Sequence, residues 1–169
     1  MAIPHKLKDF NVFGDGEMWL GMFTEVTPPK LEREMKDYRA NGMNGPVSID
    51  LGNKKLEISL KAGGYVWATV RKYAVPTADG IMLRLAGSIQ SDETGEEIGM
   101  EIIVRGRFSE VDWGKMKAGD DTETEFKMPL TYIKISLQGN TFLEMDFIHY
   151  IEIVDGVDRL AQRRKNIGL

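Results

Sequence analysis

The residue types that carry out most enzymatic chemistry are scarce in this sequence. It contains two histidines, His5 and His149, and no cysteine, so thiolate catalysis, disulfide bonds and cysteine-ligated zinc are excluded. The histidines form neither an HExxH motif nor a His-x-His pair, the spacings that bring two imidazoles to one metal ion. His149 lies in an apolar, strand-like stretch, where we expect a packed, hydrogen-bonded side chain rather than a metal ligand or a catalytic base.

Motifs for nucleophilic catalysis and phosphate binding are also missing. Ser88, Ser91 and Ser109 lie outside any Gly-x-Ser-x-Gly context, and a nucleophilic serine needs a positioned base. The glycines between residues 42 and 52 match neither GxxxxGK[ST] nor GxGxxG, so turn geometry explains them. We therefore expect no catalytic residue, no cofactor and no metal ion, and the chain is predicted not to be an enzyme.

Charged residues form local clusters. The acidic stretches 93–97 and 120–125 lack the 12-residue calcium-loop pattern, so we expect solvated surfaces. The basic residues 159–165 have no interleaved aromatics and belong to a chain of net charge -4, so salt bridges to an acidic neighbour are favoured over nucleic-acid binding.

Length and composition predict one domain that spans residues 1–169. The 169 residues are 42% hydrophobic and 28% charged, which is ordinary for a globular protein with its own core. Charged residues interrupt the first twenty positions, and no run of about 18 apolar residues occurs. We expect neither an exported protein nor a membrane-embedded one.

Alternating apolar and polar residues predict strands. In Leu56–Lys61, three aliphatic side chains would face one side of a strand and the polar ones the other. The same pattern recurs in Ile81–Ile89, Ile98–Phe108 and Phe126–Leu137, each bounded by glycine or acidic turn residues. Adjacent strands are therefore expected to pair locally, and the fold class is mainly β, an antiparallel β-barrel or sandwich.

Turns and one helix complete this picture. Asp15-Gly16, Asp92 to Gly95 and Gly139-Asn140 favour hairpin turns, because glycine and asparagine tolerate positive φ. One packed helix is predicted over Tyr65–Ala74, where Val66, Val70 and Tyr73, with Trp67 beside them, fall near one face; Pro76 would end it. The tail Asp158–Leu169 has few apolar anchors, so we expect it to be mobile in an isolated subunit.

The segment Leu31–Tyr38 is ambiguous from its residues. Leu31, Met35 and Tyr38 have helical spacing, and Glu32 with Lys36 is a favourable i, i+4 pair. A helix and a strand are equally compatible with this pattern.

Short motifs occur in a recognisable order along almost the whole chain. The fullest stretch is Thr27–Gly52, which contains Pro29-Lys30-Leu31, Tyr38-Arg39, Gly42-Met43 and Pro46-Val47-Ser48-Ile49-Asp50-Leu51-Gly52. Further pieces are Ile3-Pro4, Asn11-Val12-Phe13, Arg105-Gly106-Arg107, Asp155 to Leu160 and Asn166 to Leu169. In this ordered set the sequence resembles the major tail tube proteins of contractile-tailed bacteriophages and of phage-tail-like bacteriocins (tailocins).

The resemblance implies a β-barrel subunit with one packed helix and a projecting hairpin arm, and it favours a strand over residues 31–38. It also implies six-fold rings, whose inner strands form one continuous barrel around a lumen. Three elements would then bridge subunits and rings: the N-terminal segment 1–10, the hairpin arm 30–61 and the C-terminal tail 156–169.

By the same resemblance, interface residues are expected in the arm and the tail: Lys30, Tyr38, Arg39, Gly42, Met43, Pro46, Asp50, Asp158, Arg159, Arg163 and Leu169. Tyr38 and Met43 would be buried anchors, Arg39 would form a directional salt bridge, and Gly42 would give flexibility on docking. The alternative for Tyr38 is a strand residue that packs within its own subunit.

The resemblance also implies partners and context. Stacked rings would form the inner tail tube, with the tail sheath protein, a tape-measure protein and baseplate or initiator proteins as partners. The tube would be assembled in the bacterial host cytoplasm, become part of a virion tail or tailocin particle, and be driven through a cell envelope when the sheath contracts. Its lumen would conduct DNA without specific binding in a phage, and ions in a tailocin.

Two alternatives stay open at this point. A type VI secretion-like tube protein would have similar rings. A monomeric ligand-binding β-barrel would need a closed apolar cavity and no pairing between subunits.

Overall fold

The computed structural model describes residues 2–169, which form thirteen strands and two short helices. The strands are β1 Lys6–Gly14, β2 Glu17–Met18, β3 Phe23–Thr27, β4 Arg33–Tyr38, β5 Val47–Asn53, β6 Leu56–Ala62, β7 Ile81–Gln90, β8 Glu97–Gly106, β9 Glu110–Asp112, β10 Thr124–Leu137, β11 Asn140–Asp146, β12 Ile151–Val154 and β13 Val157–Asp158; the helices are α1 Trp67–Val70 and α2 Ala161–Ile167. Every strand pair is antiparallel, so the mainly β prediction is confirmed. Among the described residues, no helix has the length and apolar character needed to cross a membrane.

The long strand β10 connects two groups of strands. Its second half lies between β8 and β11 in a row of eight strands with the order β13-β12-β11-β10-β8-β7-β1-β2. Its first half pairs instead with β6 and β9, and β6 pairs with β3. The register of β10 against β8 shifts between Leu130 and Tyr132. At this point β8 ends at Gly106, where a Cβ atom would lie 2.2 Å from the carbonyl oxygen of Pro129, so the close approach requires glycine.

One hydrophobic core lies between the two groups. Inward side chains alternate along the strands as the sequence pattern predicts: β6 buries Leu56, Ile58 and Leu60, and β7 buries Ile81 and Leu83. Aromatic contacts join the groups as well, because the ring of Phe126 on β10 lies 6.3 Å from Phe23 on β3 and 5.7 Å from Phe108.

The predicted helix Tyr65–Ala74 is much shorter in the structure. Only the four residues of α1 are helical; turns follow, and Ala74 has a positive φ of 61°. Val66 is buried as predicted, but Trp67 and Tyr73 are more than half exposed. The predicted apolar face fails because one helical turn is too short to carry a stripe, and no side chain caps its start. The Trp67 ring instead lies 6.0 Å from Tyr65 and 5.8 Å from Trp113 on the surface.

The row of eight strands has two distinct ends. At one end lie the β7–β8 turn, residues 91–96, the β10–β11 turn and the start of β1; we call it the turn end. At the other end lie the β11–β12 turn, residues 147–150, and α2, whose Arg164 Nη1 donates a hydrogen bond to the carbonyl oxygen of Tyr150 (3.0 Å); we call it the α2 end. Because β7 has ten residues, the two ends are about 33 Å apart.

Candidate assembly surfaces

Strands β4 and β5 form a separate two-stranded sheet, which we call the arm (residues 33–53). They pair only with each other among the described residues, from Arg33 opposite Asn53 to Tyr38 opposite Val47. The extended conformation of residues 33–38 confirms the strand that the family resemblance favoured. The predicted arm of residues 30–61 is too long, because residues 56–61 belong to β6 and their apolar side chains are buried in the core.

The two faces of the arm differ in chemistry. Residues that lie directly opposite each other in an antiparallel pair share a face. Tyr38 therefore shares a face with Val47. Lys36, opposite Ile49, also lies on this face, and the alternation along β5 groups four apolar side chains there: Tyr38, Val47, Ile49 and Leu51. These four residues, which we call the apolar face, are 54%, 55%, 45% and 61% exposed. Tyr38 thus has more than half of its surface open to a partner.

The opposite face of the arm is mostly polar, with the half-exposed Met35 opposite Asp50, and its end at Arg33 and Asn53 joins the arm to the body. Arg33 donates from Nε to Asp50 Oδ2 (2.8 Å), and its Nη1 bonds to Glu152 Oε1 on β12 (2.8 Å). Asn53 Nδ2 donates to the other Glu152 oxygen (3.1 Å). The hydrogen bond from Arg33 lowers the pKa of Asp50 below its ordinary value. The predicted interface residue Asp50 thus has a partner in its own chain, and these contacts form the root of the arm.

The tip of the arm, residues 39–46, is a compact turn. Gly42 has a φ of 88°, which favours glycine, and the amide of Met43 bonds to the carbonyl oxygen of Ala40 (3.2 Å). Met43 is half-buried within this turn, while Arg39 and Pro46 are exposed. At the other end of the hairpin, Lys30 is exposed and pairs with Glu32 (3.5 Å).

The C-terminal tail carries a helix, not the mobile chain expected from its few apolar anchors. Arg164 holds it, because its guanidinium forms an ion pair with Asp158 and also bonds to the carbonyl oxygen of Tyr150. The Arg164 hydrogen bond lowers the pKa of Asp158. Gly168 ends the helix in a left-handed conformation, and its amide and that of Leu169 bond back to carbonyl groups of α2. Polar contacts thus replace the missing apolar ones.

Three of the predicted tail residues are exposed, although Arg163 lines a hollow beside Asn53 and Glu152 and its charge contributes to the lowered pKa of Asp50. Arg159, Arg163 and Leu169 are exposed, and neither arginine forms an ion pair within residues 2–169. Asp158 is instead occupied by Arg164.

The N-terminal segment offers an open strand edge. Within the described chain, β1 pairs with β2 only through Phe13 and Gly14, so residues 6–11 have a strand neighbour on the β7 side alone. Two contacts hold this segment at the turn end: Lys8 pairs with Asp92 (2.7 Å), and the amide of Ile3 donates to Glu93 Oε2 (2.9 Å). Unpaired edge groups favour pairing with another chain.

The largest concave region does not resemble a catalytic site. It encloses about 360 Å³ on the solvent face of the sheet, lined in part by Arg105, Tyr132, Asp146 and His149. Burial and a hydrogen bond to Glu144 raise the pKa of Tyr132, so its hydroxyl stays protonated. Among residues 2–169 there is no cluster of His, Asp or Glu that could hold a metal ion.

His149 is not the packed strand residue that we predicted. It lies in the β11–β12 turn with its side chain 67% exposed, and its Nδ1 is 2.7 Å from Asp146 Oδ2. Burial alone would raise the pKa of Asp146, but hydrogen bonds from the amide and ring of His149 outweigh it and lower the value. The apolar residues around His149 suggested a strand, whereas the Asp146 side chain caps a turn there.

Sequence reasoning found some interface candidates and missed others. The structure brings Tyr38 together with Val47, Ile49 and Leu51, which were quoted only as parts of a motif. Their alternation with polar residues was the signal that could have identified them. Arg33 and Glu152 at the root of the arm gave no such signal, because they are 119 residues apart in sequence.

The fold is an antiparallel β-domain with an open strand edge, an exposed apolar face on its arm and a basic tail. The sequence matches the family model of the phage tail tube protein FII over residues 4–168, and the chain belongs to this family. It is 42% identical over 172 residues to the tail tube protein of Escherichia phage P2, with all of both chains covered. It is 39% identical to the major tail tube protein of Serratia phage KSP20, with 96% of this chain and 95% of the relative covered.

Solved structures with the same fold come from contractile injection systems. One is a chain of the sheath-tube complex of an extracellular contractile injection system (PVC) in the extended state. It matches with a TM-score of 0.59 at 14% sequence identity, and the match covers 79% of the present chain and 91% of the PVC chain. Another is a chain of the six-fold-symmetrised baseplate of the anti-feeding prophage. It matches with a TM-score of 0.60 at 10% sequence identity, and the match covers 82% of the present chain and 99% of the prophage chain.

Proposed function

We propose that this protein is the subunit of the inner tube of a contractile tail, and that it forms six-fold rings which stack into a hollow tube. Its two phage relatives are named as tail tube proteins, and its structural neighbours come from a sheath-tube complex and a six-fold-symmetrised baseplate. The family model favours a phage tail over a type VI secretion tube.

The exposed apolar face of the arm carries this proposal. Tyr38, Val47, Ile49 and Leu51 lie side by side on a hairpin that contacts the body through its root, so the free subunit leaves about half of their surface in water. Fully burying a side chain of this size contributes about 1.5–3 kcal/mol, and these side chains still have about half of that to gain. Docking on a neighbouring subunit would supply this burial.

Ring closure would use the open edge of β1. Its unpaired residues 6–11 lie on one side of the eight-strand row, and the two-residue strand β13 lies on the other. Head-to-tail pairing of such edges closes when the rotation between subunits divides a full circle. The N-terminal segment 1–10, the arm and the tail 156–169 are then the elements that bridge neighbours.

The tube would lie inside the tail sheath and end at the baseplate, assemble on a tape-measure protein in the host cytoplasm, and become part of the virion tail or tailocin particle. Contraction of the sheath would drive it through a cell envelope. The lumen would pass DNA in a phage, or ions in a tailocin. A net charge of -4 suits passage without binding, because phosphates are repelled by acidic surfaces.

The ligand-binding alternative is weaker. Its apolar cavity would need about 300–1,000 Å³. Within residues 2–169, the most apolar concave site, lined by side chains such as Leu7 and Leu85, encloses about 60 Å³.

Electron microscopy with light scattering tests the proposal. We expect the concentrated protein to form hollow rings or tubes of uniform diameter, with initiator proteins added if it stays monomeric alone. Ile49→Lys should leave a folded subunit that fails to polymerise, because it places a charge at the centre of the apolar face. Tyr38→Ala with Arg39→Ala should act in the same direction.

Ser48→Lys is the matched control, because Ser48 is next in sequence and lies on the polar face beside Asp37 (2.7 Å). It should polymerise normally. Wild-type protein that stays monomeric even with initiator proteins would refute the tube, and normal tubes from Ile49→Lys would refute the role of the apolar face.

A further inference from the structure

The two ends of the eight-strand row carry complementary charge. The turn end carries four carboxylates, from Asp92, Glu93, Glu96 and Glu97, and only two cations, from Lys6 and Lys8, so it is acidic. Glu96 is exposed and forms no ion pair within the described chain. The α2 end presents Arg159, Arg163 and Lys165, which form no ion pair within residues 2–169 either. Because the ends are about 33 Å apart, these charges cannot meet within one subunit.

An apolar pocket opens beside the acidic turn. It lies between the start of β1 and strands β3, β7 and β8, and its walls include Leu7, Phe10, Val26, Leu85 and Met100. The pocket exists partly because Gly87 has no side chain: a Cβ there would lie 3.0 Å from Leu7 Cδ1 and 3.3 Å from Met100 Cε. The volume of the pocket is about 60 Å³. One water molecule needs about 10–15 Å³, so the pocket has room for about four atoms of this size, the number of carbons in one aliphatic side chain such as isoleucine.

Helix α2 carries a matching pair of side chains. Arg163 and Ile167 are four residues apart and therefore lie on the same face of the helix. Ile167 is 59% exposed and has no place in the hydrophobic core of its own subunit. The pocket and the acidic turn are farther apart than these two helix positions: Gly87 and Ser91 are four strand residues apart, about 13 Å, whereas Arg163 and Ile167 are about 6 Å apart along the helix axis. The long arginine side chain can cover the difference.

We propose that the pocket at the turn end receives Ile167 from helix α2 of a second copy of this chain, with Arg163 of that copy placed against the acidic β7–β8 turn. The inference rests on the proposed stacking of rings and names the contact between them. Because donor and receptor lie at opposite ends of each subunit, the contact repeats head to tail and gives the tube a direction. It also gives a role to the contacts of Arg164 that hold α2 against Asp158 and Tyr150.

Disulfide trapping tests the contact directly, because the natural chain contains no cysteine. Leu7→Cys combined with Ile167→Cys, assembled and mildly oxidised, should give a ladder of linked subunits on a non-reducing gel. Each single variant should give at most dimers. Leu7→Cys with Ile49→Cys tests the other apolar occupant, the arm; a ladder from that pair and none from the first would overturn the proposal.

Filling the pocket gives a second test. Gly87→Leu should fold, since the side chains it meets are flexible, but should reduce the polymerised fraction roughly ten-fold. Gly99→Leu is the matched control, because Gly99 lies on the neighbouring strand where a Cβ meets nothing within 4 Å. Equal assembly of the two variants would overturn the proposal.

Charge exchange tests the pairing. Arg163→Glu and Glu96→Lys should each weaken stacking, and the double variant should recover it, while Lys115→Glu makes the same charge change as Arg163→Glu and should have no effect. If wild-type protein forms no tubes, the proposed function fails; if tubes form and all these variants assemble equally, only this contact fails.

Discussion

Removing the guanidinium of Arg33 tests how the arm is fixed to the body. Arg33→Met keeps most of the side-chain stem but removes the contacts to Asp50 and Glu152. The Glu152 side chain is only 12% exposed, and the variant leaves it with one remaining partner, Asn53 Nδ2 at 3.1 Å. We therefore expect the arm to lose its fixed orientation and the subunit to lose stability.

The size of the stability loss in Arg33→Met follows from the burial of Glu152. Leaving a largely buried carboxylate without its charged partner lowers the free energy of unfolding by about 1–3 kcal/mol. The exposed pair between Arg33 and Asp50 adds at most about 1 kcal/mol, because both side chains are about 40% exposed. We expect the free energy of unfolding to fall by about 2 kcal/mol. Urea unfolding of the monomer, followed by the fluorescence of buried Trp19, measures it.

A double-mutant cycle with Glu152→Gln separates the pair from the rest of the site. The two single losses should not add, and the coupling free energy should be about 1–2 kcal/mol, since each variant removes the same contact. A coupling below about 0.3 kcal/mol would show that the arm is not anchored through this pair, and the reasoning from burial would then be wrong.

Two further predictions concern the core and the tail. Gly14→Ala should destabilise the subunit by about 1–3 kcal/mol, because the new Cβ would lie 1.9 Å from the Trp19 ring; thermal unfolding measures this, and an unchanged midpoint would contradict it. The pair of Asp158 with Arg164 lowers the pKa of Asp158, so its contribution is present above the ordinary value of 3.8 and is lost as the pH falls through the lowered one. Hydrogen exchange in α2 should therefore be faster in Asp158→Asn than in wild type at neutral pH and equal in acid; a difference that persists in acid would contradict it.

Local patterns predicted the strands of the body because burial repeats there with period two. Residues 56–61 alternate between core and solvent, as their sequence indicated. Residues 31–38 could not be decided in this way, because the pair of Glu32 and Lys36 favours a helix by only about 0.2–0.5 kcal/mol. Pairing with β5 decides the conformation, and an isolated helix of eight residues would not be stable.

Features that depend on distant partners were not predictable. The root of the arm needs Glu152, which belongs to β12, and the order of the tail needs the carbonyl group of Tyr150. Residues 158–169 were predicted to be mobile because they contain few apolar anchors. The ion pair and the carbonyl contact of Arg164 that hold the helix cannot be recognised from the sequence. For His149, the turn capped by Asp146 replaced a strand that hydrophobicity alone predicted.

The fourteen-residue strand β10 has a mechanical consequence for the subunit. It is about 46 Å long, and its two halves are bonded to different sets of strands. Tension between β6 at one end and β11 at the other therefore passes along one continuous covalent backbone. Separating the two groups of strands along β10 would load its ladder hydrogen bonds in shear, all together, rather than opening them one after another. The junction between the two groups of strands should accordingly resist a pull along β10 more strongly than a force that peels them apart strand by strand.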